Sequence, residues 1–183
     1  ADHGTGGQSG DTSGDTFDLV DGGGTLQITV NGTLSPITPA STDTIVIEGT
    51  GDDDILNIDA GGFAFPTNIT FNGGAGFDTL NITNANGTTL TYTPDGPNSG
   101  TVAFDGNTLF FTGLDPITQT GTIADVVIND NAVGDHTITI SQPAPGQTRV
   151  SCTFEMIDFA NPTNSFTLNA NTRSEERRVG KEC

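Results

Sequence analysis

Asn68-Ile69-Thr70-Phe71-Asn72-Gly73-Gly74-Ala75-Gly76-Phe77-Asp78-Thr79-Leu80-Asn81-Ile82-Thr83 carries the pattern by which the whole chain can be read. Ile69 and Phe71 are spaced by two, as are Leu80 and Ile82, with Thr or Asn between them. Period two puts alternate side chains on opposite faces of a strand, so each pair marks one apolar face and one wet face. The unit recurs towards the N-terminus in Leu56 and Ile58, Ile45 and Ile47, and Leu26, Ile28 and Val30. Towards the C-terminus it recurs from Leu90 and Tyr92 through Val102 and Phe104, Leu109 and Phe111, Val126 and Ile128, and Ile138 and Ile140. Val150, Cys152 and Phe154, then Phe166 and Leu168, complete the series. Between these runs lie turn formers such as Asp21-Gly22-Gly23-Gly24, Gly49-Thr50-Gly51, Asn86-Gly87 and Asp95-Gly96-Pro97. No window carries a helical period, and the chain is expected to be all-β.

Short strands at this spacing suit a sandwich, a barrel or a solenoid. The uniformity of the units, each with two inward apolar residues, a polar flank and a Gly- or Asn-rich corner, points to a right-handed parallel β-helix, a β-solenoid. A β-sandwich or Greek-key arrangement is the alternative, but it calls for longer strands with aromatic anchors, whereas Trp is absent and Tyr occurs once. Residues 1–16 are Gly, Ser, Thr and Asp with almost nothing apolar, which predicts a flexible linker. Residues 17–40 read as a hairpin and a connection, and residues 41–172 as the solenoid body.

Residues 173–183 break the composition. Arg173 to Cys183 reads RSEERRVGKEC and holds four of the five basic residues of the chain. The run resembles the in-frame translation of a common sequencing adapter, so this tail is expected to be non-native and to pack against nothing. The opening Ala1-Asp2-His3, with no Met, basic region or apolar run, fits the expectation that both ends mark where a read stopped.

Without the tail, one basic side chain, Arg149, faces 20 acidic ones, a formal charge of −19. Such a field repels nucleic-acid phosphate and anionic lipid, and it attracts cations. Leu, Ile, Val and Phe make up 42 of those 172 residues, enough for a lean core. No stretch approaches the roughly 18 apolar residues of a membrane span. Cys152 is the one cysteine outside the tail, which excludes a disulfide framework; on the inward face with Val150 and Phe154 it reads as a buried, inert thiol.

One motif has a chemical mechanism. Gly73-Gly74-Ala75-Gly76-Phe77-Asp78-Thr79-Leu80-Asn81 matches the calcium-binding nonapeptide GGxGxDxUx at every specified position. Glycines allow a tight turn that aims carbonyl oxygens inward, and the Asp adds a hard carboxylate suited to Ca²⁺. A degraded copy, Gly49-Thr50-Gly51-Asp52-Asp53-Asp54-Ile55-Leu56-Asn57, puts Asp54 in the ligand position. Candidate ligands are therefore Gly73, Gly76 and Asp78, with Asp54 weaker; the alternative is that both copies are only corners of the coil.

The runs DTFDLVDGGGTLQITVNG, TDTIVIEGTGDDDILNID, FPTNITFNGGAGFDTLNIT, FFTGLDPI and FANPTNSFTLNAN together resemble the repeat unit of very large bacterial surface proteins, of the kind abundant in planctomycetes and other aquatic bacteria. The resemblance spans nearly all of residues 15–172. It implies a secreted, non-catalytic, adhesin-like or structural module, with neighbouring repeats of the same chain as partners, extracellular glycans as further ones, and no membrane insertion. It supplies no catalytic residue. The tandem nonapeptides of the repeats-in-toxin β-roll share metal sites between turns, whereas the two copies here are isolated.

Polysaccharide lyases and hydrolases also use β-helices, but they need cationic clamps, and Arg149 stands alone here. Asp52, Asp53 and Asp54 would point in alternating directions on a strand, so they cannot all face one substrate. Thr-x-Thr pairs such as Thr89 with Thr91 and Thr137 with Thr139 fit an ice-binding ladder, but Thr is also an ordinary outward strand residue. Asn-x-Thr triplets are expected by chance in this composition. A carbohydrate-binding module is the other class of function, and it requires exposed aromatics; Phe63, Phe65 and Phe77 are the candidates outside the alternating pattern.

Overall fold

The computed structural model describes residues 2–6, 13–22, 25–35, 44–61, 68–105, 107–132, 134, 137–170 and 175–178, with the backbone alone for 2–6 and 175–178. Its strands are β1 (Asp2–Gly6), β2 (Thr16–Asp21), β3 (Leu26–Val30), β4 (Thr33–Leu34), β5 (Thr44–Glu48), β6 (Ile55–Asp59), β7 (Asn68–Asn72) and β8 (Asp78–Gly96). They continue as β9 (Ser99–Phe104), β10 (Asn107–Thr112), β11 (Leu114–Asn129), β12 (Thr137–Ser141), β13 (Gln147–Ser151), β14 (Ile157–Ala160), β15 (Ser165–Asn169) and β16 (Glu175–Arg178). The described residues contain no helix, and none is therefore long and apolar enough to cross a membrane. The strands stack in parallel as a β-solenoid of about four turns.

One wall is the parallel series β2, β6, the first half of β8, the first half of β11, and β14. Its register brings Phe17, Leu56, Leu80, Ile117 and Ile157 into one inward row, all fully buried. The parallel register also stacks like on like outside. Asn57 Nδ2 donates to Asp18 Oδ1 at 2.9 Å, Asn81 Nδ2 to Asn57 Oδ1 at 2.9 Å, and Thr118 Oγ1 to Asn81 Oδ1 at 2.5 Å. Thr29 Oγ1 joins the lower end by donating to Asp18 Oδ2 at 2.9 Å. In the same outward row, Arg149 grips Asp158 through two 2.6 Å bonds.

The second wall runs β1, β5, β7, β10 in parallel, then β9, then the second halves of β8 and β11, then β15. The strand β9 is antiparallel to both neighbours and joins the two parallel stretches into one sheet. Between the walls the apolar pairs merge into a single core. Its aromatics interlock: Phe17 meets Phe71 edge-on at 6.3 Å, and Tyr92 lies 6.2 Å from both Phe111 and Phe154. The Tyr92 hydroxyl donates to the Glu155 carbonyl at 2.7 Å, which meets the need of a buried phenol for a partner.

Several features differ from expectation. Residues 2–6, placed in a linker, form β1 beside β5, and Asp15 at the end of that segment is buried. Residues 175–178, expected to pack against nothing, form β16, whose backbone pairs in parallel with β12. Cys152 is half-buried rather than enclosed, because β13 ends at Ser151 and the chain bends before Phe154 turns inward. Antiparallel strands close the first wall at both edges, β3 and β4 beyond β2 and β13 and β12 beyond β14. Such strands cover edges that would otherwise offer unpaired backbone groups.

Candidate functional site

The nonapeptide forms the corner between β7 and β8, and its degraded copy forms the corner between β5 and β6 directly beneath it. Asp54 and Asp78 are both fully buried there, and Asp15 occupies the equivalent place one turn lower. The three are linked in series. Asp15 N–H donates to Asp54 Oδ1 at 2.6 Å, and Asp54 N–H donates to Asp78 Oδ1 at 2.8 Å. Asp54 Oδ2 also accepts from the Thr50 backbone N–H at 2.6 Å and from Thr50 Oγ1 at 3.3 Å. Asn31 Nδ2 donates to Asp15 Oδ1 at 2.6 Å. Asp54 and Asp78 thus each cap a backbone amide of the turn below, and the series ends where Leu114 takes the place aligned with Asp78.

The glycines serve this stacking. A Cβ on Gly73 would collide with the Asp78 carboxyl, which packs over it. Gly76 has a φ of 131°, a region L-residues avoid, and a Cβ there would sit 2.6 Å from the Asp52 carbonyl oxygen. Beside it, Phe77 N–H donates to Asp53 Oδ1 at 2.8 Å, which ties the two corners together again.

A calcium ion takes six to eight oxygens. Both oxygens of Asp54 and one of Asp78 are already engaged with protein donors, leaving Asp78 Oδ2 as the buried carboxylate oxygen without a hydrogen-bond partner. Among the described residues, no three His, Cys, Asp or Glu side chains come together in a way that would hold a metal. The structure does bring Asp54, Gly73, Gly76 and Asp78 together, as an amide-capping ladder. Burial raises the Asp78 pKa above the usual carboxylate range; the Asp54 N–H pulls it back, while the charges of Asp54 and Asp53 add to the rise.

Two other places bear on chemistry. A cleft of about 300 Å³ is lined by Val20, Asp21, Asp59, Gly61 and Asn84. Asp59 Oδ1 there accepts from Gly61 N–H at 3.0 Å and Asn84 Nδ2 at 3.2 Å, and no cationic side chain lines it. Among the described residues the exposed aromatics are Phe77, 68% exposed on the nonapeptide corner, and Phe110, 47% exposed on β10. Phe63 and Phe65 lie outside the described residues. Phe110 sits between the core residues Leu109 and Phe111, so it hides within an apolar run, and period two alone places it outward.

Fold and corner together define a β-solenoid whose turns are registered by inward aspartates and outward amide ladders. No protein-family model, curated protein or solved structure matches the chain.

Proposed function

We propose that the chain is a non-catalytic structural module of a large secreted bacterial surface protein, an acidic solenoid spacer that stacks on neighbouring units. The observation that carries this reading is what the carboxylates do. Asp15, Asp54 and Asp78 hold turn to turn, Asp18 belongs to an outward ladder, and Asp53 binds a backbone amide of the next corner. Acid–base catalysis needs carboxyl groups converging on a shared space where a substrate can sit. Within the Asp52–Asp54 run, Asp54 is buried in the scaffold and Asp53 is engaged with the Phe77 amide, so the two do not converge on a shared space.

The test is turnover. Purified protein incubated with polygalacturonate, alginate, xylan and cellulose is expected to release no reducing ends and no unsaturated uronate. Turnover that disappears in Asp21→Asn or Asp59→Asn would overturn the reading and place an active site in the cleft. Sequencing the flanking reading frame of the source DNA is expected to show further units with the same strand spacing.

A further inference from the structure

We infer that the outer surface of the second wall binds neutral polysaccharide. The register across β5, β7, β10, β9 and β8 sets Val46, Thr70, Phe110, Thr101 and Thr93 side by side in one outward row. At about 4.8 Å per strand this row is about 20 Å long. The adjacent row sets Thr44, Asn68, Thr108, Ala103 and Thr91 in the same order. Neither row contains a charged side chain, in a chain with 23 acidic residues and 5 basic ones. The acids nearest these rows lie at the margins, Glu48 and Asp95 beyond one row and Asp105 and Asp125 beyond the other, with Asp2 of the edge strand β1 in register with Thr44.

Outward threonines are ordinary on strands. Two observations go further. Phe110 is 47% exposed at the middle of its row, where a Thr would cost no apolar exposure. Moreover, the second wall confines its side-chain ladder to one margin, where Thr112 donates to Asn72 and Asn72 to Glu48, whereas among the described residues the hydroxyls of Thr70, Thr101 and Thr93 make no side-chain hydrogen bond. The second wall therefore presents free hydroxyls around an aromatic ring. The C–H face of a pyranose ring stacks on an aromatic, and its equatorial hydroxyls exchange hydrogen bonds with Thr and Asn. The charge pattern selects the polymer: flanking carboxylates repel an anionic chain, and the face offers a cation no ligand. Phe110 also interrupts the threonine array, which counts against an ice lattice and in favour of a sugar chain.

This inference goes beyond the structural reading, and its failure is distinct, since it is read by binding and not by turnover. The full chain is mixed with microcrystalline cellulose, chitin and insoluble mannan, and the unbound fraction is measured, with alginate as the anionic comparison. Retention on at least one neutral polymer is expected, with none on alginate. Phe110→Ala and Thr101→Glu should each weaken retention at least tenfold while keeping the wild-type circular dichroism and melting curve. Phe77→Ala, on the corner, should retain like wild type. Three results would overturn the proposal: no retention on any neutral polymer, retention indifferent to both face variants, or ice shaping or dimerisation that the face variants abolish in place of polysaccharide binding.

Discussion

Asp78 accepts the backbone N–H of Asp54 at 2.8 Å, across 24 residues of sequence and one turn of the solenoid. Both residues are fully buried, so the bond is made where water cannot substitute for either partner. Asp78→Ala leaves the Asp54 amide without an acceptor, and a loss of about 1–3 kcal/mol is expected from equilibrium denaturation. Asp78→Asn keeps an oxygen for that amide and removes a desolvated charge, so it should cost clearly less. Equal losses in the two variants would show that the carboxylate charge, and not the cap, holds the corner.

The same geometry sets the response to divalent ions. Because the corner carboxylates are engaged with amides, Ca²⁺ and Mg²⁺ should act only by screening the net charge of −18. Melting temperatures in the two ions at matched ionic strength are expected to agree, and Asp78→Asn should leave the response unchanged. A shaped site occupied at about 100 times its dissociation constant would add about 2.7 kcal/mol, an effect easily seen. A Ca²⁺-specific rise lost in Asp78→Asn would restore the metal reading of the nonapeptide.

Most of the fold was legible because parallel stacking repeats one local rule. Every inward pair from Ile45 to Ile128 that alternation assigned to the core is buried, and the polar flanks Asn57, Asn81 and Thr118 form the outward ladder. The antiparallel pieces were not legible. Val102 and Phe104 on β9 alternate just as parallel strands do, and period two carries no information on strand direction. The corner was legible as a place, and its glycines suit two chemistries. The nonapeptide demands glycines and an inward Asp, and a corner capping the turn below demands the same residues.

The two corners also predict which glycines are dispensable. Gly51 aligns with Ala75 at the 24-residue offset of the turns, and a Cβ on Gly51 would meet nothing within 4 Å. Gly51→Ala should therefore be neutral within about 0.5 kcal/mol, as for a surface change away from special features. Gly76→Ala faces both a φ of 131° and the Asp52 carbonyl oxygen at 2.6 Å, so a loss above about 1 kcal/mol is expected. Asp52 stands where the other corner has Gly76 and has no positive φ, which explains why the degraded copy tolerates a side chain there. Comparable melting temperatures for the two variants would contradict this account.

Glu155 gives the fold a pH dependence opposite to that of a paired acid. It is 3% exposed, its Oε1 has no hydrogen-bond partner, and its backbone carbonyl anchors Tyr92. Burial pushes its carboxyl up to about 8, the Asp115 charge adds to the rise, and the Met156 N–H opposes it. A folded-state value above the unfolded one means the native protein holds the proton more tightly. Stability from this group is then full below the unfolded value of about 4.3 and is lost as pH rises towards 8. One pKa unit is worth about 1.4 kcal/mol, so unfolding free energy should fall by a few kcal/mol between pH 5 and pH 8. Asp78, also raised, acts in the same direction. Glu155→Gln stays neutral throughout and should flatten most of that slope, making the variant more stable than wild type at pH 8 and similar at pH 5. Denaturant titrations at the two pH values decide it: a wild-type protein at least as stable at pH 8 as at pH 5, or a Gln variant with the same slope, would show that Glu155 is not buried as a proton-holding acid.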